Sequence, residues 1–496
     1  MKEKSSLSDI INHRIQKLNK IKESKIESFS YAFKQNANIK DILLDQSGWL
    51  EKKVKICGRI IALRKMGKAC FIHIQIDGDK IQLYVKTSNL EENVYDSIVR
   101  NLDIGDIIGV SGEVFLTKTS ELSIRANSLV ILSKNIRPLP NLKEKDGEVF
   151  FAFNDKELRY RNRHLDLITN PETRSVFIKR ASIIKGIRDI LDGKGFLEVE
   201  TPCLQPLYGG ASARPFTTHH NTLDKDLYLR IASELYLKRL IVGGFDKVYE
   251  IGKNFRNEGM DKSHNPEFTM LEFYEAYSDV NDMICITEDI FKKIAKKMNS
   301  SKFKFNGNLI DLNNDFNIFT MKDLFEKYID VNPIDLNDSD LNSLADKHGI
   351  DKEKYAHRGK LIEKLFSNLI EPNLIQPTFV TEYPVEISPL ARYKRDDSSN
   401  KYVERFELFI SGLEFANSFS ELNDSFDQKE RLLKQQSMLK KGDDEAQVFD
   451  REFIEVLESG MPPTGGVGVG IDRMVMLFAE QDSIKDVIFF PSMRDE

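Results

Sequence analysis

Leu7, Ile10, Ile11, Ile15, Leu18 and Ile21 recur at helical spacing near the start of the chain, and this predicts an amphipathic helix. From residue 54 the period changes to two. Strands are predicted at 54–63, 71–76, 80–85, 107–116 and 122–132, with turns at Asp77-Gly78-Asp79 and Gly105-Asp106. Five strands in about eighty residues predict a small Greek-key barrel of the OB type. Ile136-Arg137-Pro138-Leu139-Pro140 then reads as a stiff linker.

Beyond the linker, helices and strands mix. Asn170-Pro171-Glu172 is a helix start with a capping Asn and Pro at the first helical position. Val176, Ile183, Ile184, Ile187, Ile190 and Leu191 form its apolar stripe, and Gly193 and Gly195 stop it. Residues 196–202 read as a strand ending in Pro202, and 227–231 as another before a helix from Ala232. Residues 247–256 and 267–277 form a long hairpin around a polar loop. Helices are predicted at 282–298, 321–328, 338–348 and 360–369, in a stretch with no chemical motif, where His348 and His357 are taken as surface residues. Strands at 376–384 and 406–412 precede a glycine-rich strand, 465–470, and the apolar helix 474–479.

Parity sorts the second hairpin strand into two faces. Thr269, Leu271 and Phe273 look like core, while Phe268, Met270, Glu272 and Tyr274 share the other face. A carboxylate and a phenol among apolar groups suit a pocket that stacks a flat ring and holds a cation. In the stretch EFANSFSE, Asn417, Phe419 and Glu421 share parity and Glu414 does not. Both sets can face one pocket only through a bulge near Phe415-Ala416.

Composition narrows the classes. At 496 residues two or more domains are expected, and 41% hydrophobic with 30% charged residues is globular. A net charge of −6 argues against a generic polybasic nucleic-acid binder. Residues 1–40 are nevertheless basic, with nine Lys or Arg against four acids. That first helix can lie on RNA, on a membrane or on the protein's own body. No apolar run spans a membrane, and MKEKSSLSDI lacks a signal-peptide core. Cys57, Cys70, Cys203 and Cys285 form no C-x-x-C pair, so a zinc site is not expected and a reducing cytoplasm is. The pair His219-His220 has no third ligand at metal spacing.

F-R-N-E-G at 255–259, H-N-P-E-F-T at 264–269 and E-x-Y at 272–274 resemble motif 2 of the class II aminoacyl-tRNA synthetases, in the lysine, aspartate and asparagine subgroup. The helix and strand of 170–202 resemble the looser motif 1. G-x-G-x-G-I-D-R at 466–473 resembles motif 3, and it is neither a P-loop nor a Rossmann fingerprint. R-K-M-G-K-A-x-F, I-Q-L-Y-V and L-T-K-T-x-E-L-S-I in the barrel resemble the anticodon-binding domain of the lysyl branch.

The resemblance implies an α+β multidomain fold: a basic helical extension over 1–48, an anticodon-binding OB barrel over 49–135, a linker over 136–145, and a catalytic domain over 146–496. That domain is built on an antiparallel sheet with a helical insertion at about 281–375. It implies a homodimer, in which motif 1 forms the interface, that charges tRNA(Lys) with L-lysine at the expense of ATP and Mg2+. By resemblance, Arg256 bridges the substrate carboxylate and α-phosphate, and His264 and Arg473 attend the outer phosphates. Phe268 stacks on adenine, Glu258 reads its amino group, and Asn265 completes the ATP contacts. Glu414 and Glu421 are the expected magnesium carboxylates. Gly210 lies near the amino acid and Glu234 holds the lysine α-amino group, with Ser233 in place of the family's usual Pro and given an equivalent capping role. Glu272, Tyr274, Asn417, Phe419 and Glu421 form the side-chain pocket, so Glu421 serves lysine, metal or both. Arg64, Phe71, Gln82 and Glu121 are expected on the anticodon. An acidic pocket disfavours aspartate as substrate. The rivals are a lysine-activating enzyme that modifies a protein, which would lack the barrel, and an inactive RNA-binding relative, which would have lost Arg256, Glu258 or Arg473.

Overall fold

The computed structural model describes residues 7–140, 142–145, 148–151, 153–352, 355, 357–440, 443 and 445–495. The chain divides into two compact units, Met1–Pro171 and Glu172–Glu496.

In the first unit, strands Lys53–Met66, Ala69–Ile76, Asp79–Lys86, Ile107–Leu116 and Leu122–Ser133 close into a barrel. The inward rows are branched aliphatics such as Ile72, Ile74, Ile81, Leu83 and Val85, all buried. Alternation therefore leaves Phe71, His73, Gln82 and Tyr84 on the outer face. The first helix spans Leu7–Glu23. Its basic side is partly spent on its own unit: buried Arg14 donates to the Asn135 carbonyl at 3.2 Å, and Lys17 pairs with Asp103 at 2.5 Å. Leu7 and Ile15, expected on the apolar face, are exposed.

The second unit is organised on a mixed sheet. Among the described residues its order is Asn317–Thr320, Thr378–Pro384, Tyr402–Ile410, Leu413–Ser420, Thr464–Gly470, Glu267–Ala276, Lys247–Phe255 and Leu197–Glu198. The outermost pair at each end is parallel, and the inner neighbours are antiparallel. The strand expected over 196–202 shrinks to Leu197–Glu198, because only Val248 and Tyr249 offer it a ladder. Beyond it the chain is held by other bonds: Thr201 donates to Glu250, and Arg230 donates back to the Thr201 carbonyl.

Helices Pro171–Gly193, Val280–Lys297 and Ile471–Ala479 bury Ile187, Phe291 and Met474 with Leu271 and Phe273 of the sheet in one core. Helices Met321–Ile329, Asp338–Lys347 and Arg358–Leu369 gather a second core around Phe325 and Phe366. Asp472 ties the last helix to the sheet: it accepts the Thr269 N–H at 2.7 Å and pairs with Arg180 at 2.6 Å.

Candidate active site

A cavity of about 400 Å³ opens on the non-core face of the large sheet. Its floor is the strand Thr464–Gly470. Gly466 stands opposite Tyr274 on one neighbour and Phe419 on the other, and Gly468 stands opposite Glu272 and Asn417. The flanking side chains lean over Gly466 and Gly468, the cavity-facing positions of the strand, which have none. A Cβ on Gly466 would collide with the Glu421 carboxylate and the Tyr274 ring. The alternating glycines are thus what lets two large polar rows share one hollow.

The register between Tyr402–Ile410 and Leu413–Ser420 slips by one residue. Leu408 faces Ala416 and Phe409 faces Glu414, so Phe415 is the bulged residue and turns into the core. Glu414, Asn417, Phe419 and Glu421 all line the cavity as a result. Arg256, Glu258, His264, Asn265, Phe268, Glu272, Tyr274, Gly210, Glu234 and Arg473 line it too. All the residues expected to hold ATP, lysine or metal meet in one place.

One end of the cavity is acidic and dry. Glu272 is 4% exposed; its Oε1 accepts the Ser233 N–H at 3.0 Å, and Tyr274 donates to its Oε2 at 3.5 Å. Burial and the neighbouring Glu234 push its pKa up to about 7, against the pull of the Ser233 N–H. Burial likewise raises Glu421, which Lys238 opposes and Glu234 reinforces. Ser233 makes no side-chain cap, contrary to its expected role; its backbone serves Glu272 instead. Gly210 sits at φ +85°, and a Cβ there would lie 3.0 Å from the Glu234 Cβ.

The other end is cationic. Burial lowers the Arg256 pKa although Glu258 and Glu414 act to raise it. Its Nε is buried without a hydrogen-bond partner, and the guanidinium lies 5.1 Å from the Phe268 ring centre. A buried, unsatisfied donor on a cation is an open anion site. Arg473 donates to His264 Nε2 at 3.2 Å and to the Glu414 carbonyl at 2.5 Å. Arginine only donates, so Nε2 accepts and the imidazole proton sits on Nδ1, 2.9 Å from Asp261 Oδ2. Burial works against the Asp261 charge, but hydrogen bonds from Ser263 and His264 outweigh it and draw its pKa down to about 2. Asn265 lines the cavity but is engaged elsewhere: its amide donates to the Glu267 carbonyl at 2.6 Å and accepts from the Ser492 N–H at 3.2 Å.

Several residues at or beside the site were missed. His357, taken as a surface residue, lines the cavity, and burial lowers its pKa. Arg405 and Glu407 alternate on Tyr402–Ile410 and face the site. Arg405 donates to Asn417 Oδ1 at 3.2 Å and stacks 5.6 Å from Phe419. Lys238, four residues after Glu234 on the helix Glu234–Val242, was legible as an E-x-x-x-K pair.

Glu407 bears on the metal. Burial raises its carboxyl, Arg405 lowers it, and Glu414 raises it again. Both Glu407 oxygens are engaged, Oε1 by Arg405 at 2.5 Å and Oε2 by the Tyr383 hydroxyl at 2.8 Å, so Glu414 and Glu421 stay the expected carboxylates for a hard divalent cation, which fills its remaining positions with phosphate oxygens and water. Among the described residues no three acidic, His or Cys groups form a self-sufficient cage. Glu421, expected as the second magnesium carboxylate, lines the same cavity as Glu414. Its carboxylate lies wholly buried, 2.5 Å from Lys238 Nζ.

The barrel carries a separate surface. Phe71 and Tyr84 are cross-strand partners with ring centres 5.2 Å apart, and Phe115 continues the row 6.3 Å from Tyr84. Arg125 lies over Phe115 at 4.6 Å, and exposed Arg64 stands opposite Phe71. His73 bonds Glu121 at 3.2 Å. Gln82 shares the outer face but is covered, 7% exposed, with its amide on Ser123 Oγ at 2.8 Å. Tyr84, Phe115 and Arg125 were not foreseen, because single aromatics in strands read as core.

Residues 155–494 match the family of class II tRNA synthetases (D, K and N), and residues 54–132 match the OB-fold nucleic acid binding domain. A lysine--tRNA ligase of Carboxydothermus hydrogenoformans is 48% identical over 494 residues, covering 99% of both chains. One of Thermoanaerobacter pseudethanolicus is 48% identical, covering 98% of this chain and 96% of its own. One of Pelotomaculum thermopropionicum is 47% identical, with 98% and 95% covered.

Proposed function

The chain belongs to the class II tRNA synthetases of the D, K and N group, and from that membership we propose that it is a lysine--tRNA ligase. The observation that carries the choice of amino acid is the dry acidic end of the cavity, where Glu234, Glu272, Glu421 and the Tyr274 phenol converge. Two ammonium groups on one substrate answer it; an acidic side chain would meet only repulsion.

Arg256, at the cationic end, offers one guanidinium fork to the lysine carboxylate and the ATP α-phosphate. A carboxylate oxygen attacks the α-phosphorus, and the bond to pyrophosphate breaks, giving lysyl-adenylate. His264 and Arg473 receive the charge on the leaving phosphates, and Asp261 keeps His264 turned toward Arg473. Phe268 offers adenine a flat face and Glu258 an acceptor for its amino group. No protein nucleophile is needed: alignment and charge neutralisation are the catalysis. Mg2+ would be held by Glu414 and Glu421 and would neutralise phosphate charge, with Glu421 also facing lysine. The terminal ribose hydroxyl of tRNA(Lys) then attacks the adenylate carbonyl, and AMP leaves.

The barrel, over about 49–135, reads the anticodon through Phe71, with Arg64, Gln82 and Glu121 as polar contacts. Residues 136–145 link it to the catalytic domain, 146–496, with residues 281–375 as an insertion. The active form is a cytoplasmic homodimer. Sparse free thiols support the compartment, and the exposed apolar Ile178, Leu197 and Phe490 near motif 1 support the dimer.

ATP–pyrophosphate exchange with each amino acid, without tRNA, tests the reading. Exchange dependent on lysine alone is expected. Exchange with aspartate or asparagine and not lysine would overturn the pocket assignment, and no exchange at all would favour the inactive RNA-binding alternative.

A further inference from the structure

The acidic end of the cavity already contains a cation. Lys238 is fully buried, with Nζ 2.6 Å from Glu234 Oε1 and 2.5 Å from Glu421 Oε2. The first contact is a hydrogen bond within one helix, and the second reaches across to the residue after the strand Leu413–Ser420. No other part of the proposed mechanism uses Lys238.

Its two partners are the two ends of the substrate site. Glu234, beside Gly210, is the carboxylate for the α-ammonium. Glu421, above the Gly466 floor and beside Tyr274, is one for the side-chain ammonium. A single ammonium touching both fixes the distance between them. It also sets the charge. Glu234, Glu272 and Glu421 carry three negative charges when ionised, and Lys238 cancels one. Two remain for a substrate that brings two ammonium groups, its carboxylate being taken by Arg256. A buried pair leaves little slack in such a count, because an uncompensated charge in a dry site is costly.

We propose that Lys238 is a specificity-determining positioning residue: a resident cation that braces Glu234 against Glu421, so that the pocket accepts a diamino acid of lysine's length over one a methylene shorter. The inference rests on the lysine reading of the cavity. A salt bridge that only holds the helix to the sheet would make a different prediction, since its loss would cost stability without regard to substrate length.

The test compares lysine and ornithine, its analogue with one methylene fewer, in ATP–pyrophosphate exchange. Wild-type protein is measured first; absence of lysine-dependent exchange there removes the functional reading and this proposal with it. In Lys238→Met, which keeps the length and loses the charge, lysine kcat/KM is expected to fall about 30-fold or more, chiefly in KM. Ornithine falls less, so the lysine-to-ornithine ratio narrows about tenfold, one methylene's worth of discrimination. Lys238→Arg keeps the charge on a longer, planar arm and should restore most of the KM while leaving the ratio narrowed. If folded Lys238→Met loses lysine and ornithine exchange by the same factor, or neither, the proposal is overturned. If Lys238→Met does not fold, Lys238→Arg decides: a wild-type ratio overturns it and a narrowed one supports it.

Discussion

The acidic end of the cavity and the outer face of the barrel are both built from strand residues at period two, yet they solve opposite problems. Glu272, Tyr274 and Glu421 are almost entirely removed from water, and their partners are already in place. Phe71, Tyr84 and Phe115 stay half open on a convex face. Charge recognition gains from desolvation, because each ion pair strengthens as the local dielectric falls. Stacking needs only a flat apolar surface, which any base can cover. The difference teaches where error is tolerated. A buried polar constellation fails when one member is missing, whereas a row of rings loses affinity ring by ring.

The sharpest way to break the comparison is Arg256→Ala. It removes the cation offered to both the lysine carboxylate and the α-phosphate, and kcat for exchange should fall roughly 10²- to 10³-fold, the cost of one preorganised charge-stabilising donor. A smaller loss in single-turnover measurements would remove Arg256 from the transition state. Next comes Glu272→Gln, which keeps the shape and loses the charge. Lysine KM should rise about 30-fold or more while ATP KM holds, because a buried ammonium loses a partner. Phe71→Ala should leave exchange intact and weaken tRNA charging by about five- to a hundredfold, as one base stack is worth ~1–3 kcal/mol. Equal loss in exchange would mean that the barrel contributes through folding alone.

The smallest effect is a pH dependence. Glu272 titrates near 7 in the fold against an ordinary 4.5. Between those values the native state holds a proton that the unfolded chain has released. Its contribution to stability is therefore present below the ordinary value and is lost as pH rises through about 7. A bound ammonium reverses that preference and expels the proton. Lysine affinity, measured by calorimetry, should thus rise with pH from 6 and level off above 7, by at most about tenfold per unit for one proton. Glu272→Gln should flatten this slope, and an unchanged slope would assign the proton elsewhere.

How much of this was written in the chain depends on the kind of signal. The barrel, the long hairpin, the bulge and the glycine strand all follow from periodicity and from local backbone rules, and each lies where the pattern puts it. What the pattern missed was set by neighbours distant in the chain. Lys238 matters because residue 421 arrives beside it. Glu407 matters because Glu414 shares its corner. The strand after Phe196 is short because its only partner offers two residues. His357 is drawn from the surface into the cavity wall by packing that no local rule encodes.

The extra residue at Phe415 also sets a rule for reading frames of structure. Because the strand counts one way before it and the other way after it, Glu414 and Asn417 share the cavity with two residues between them instead of one. Removing Phe415 would leave Glu414 and Asn417 two apart, as in a regular strand, so both would keep the cavity face while the core lost the Phe415 ring. A one-codon deletion at the bulge would thus cost packing and leave the acidic row in frame, whereas one at Ser418 would put Asn417 and Phe419 on opposite faces.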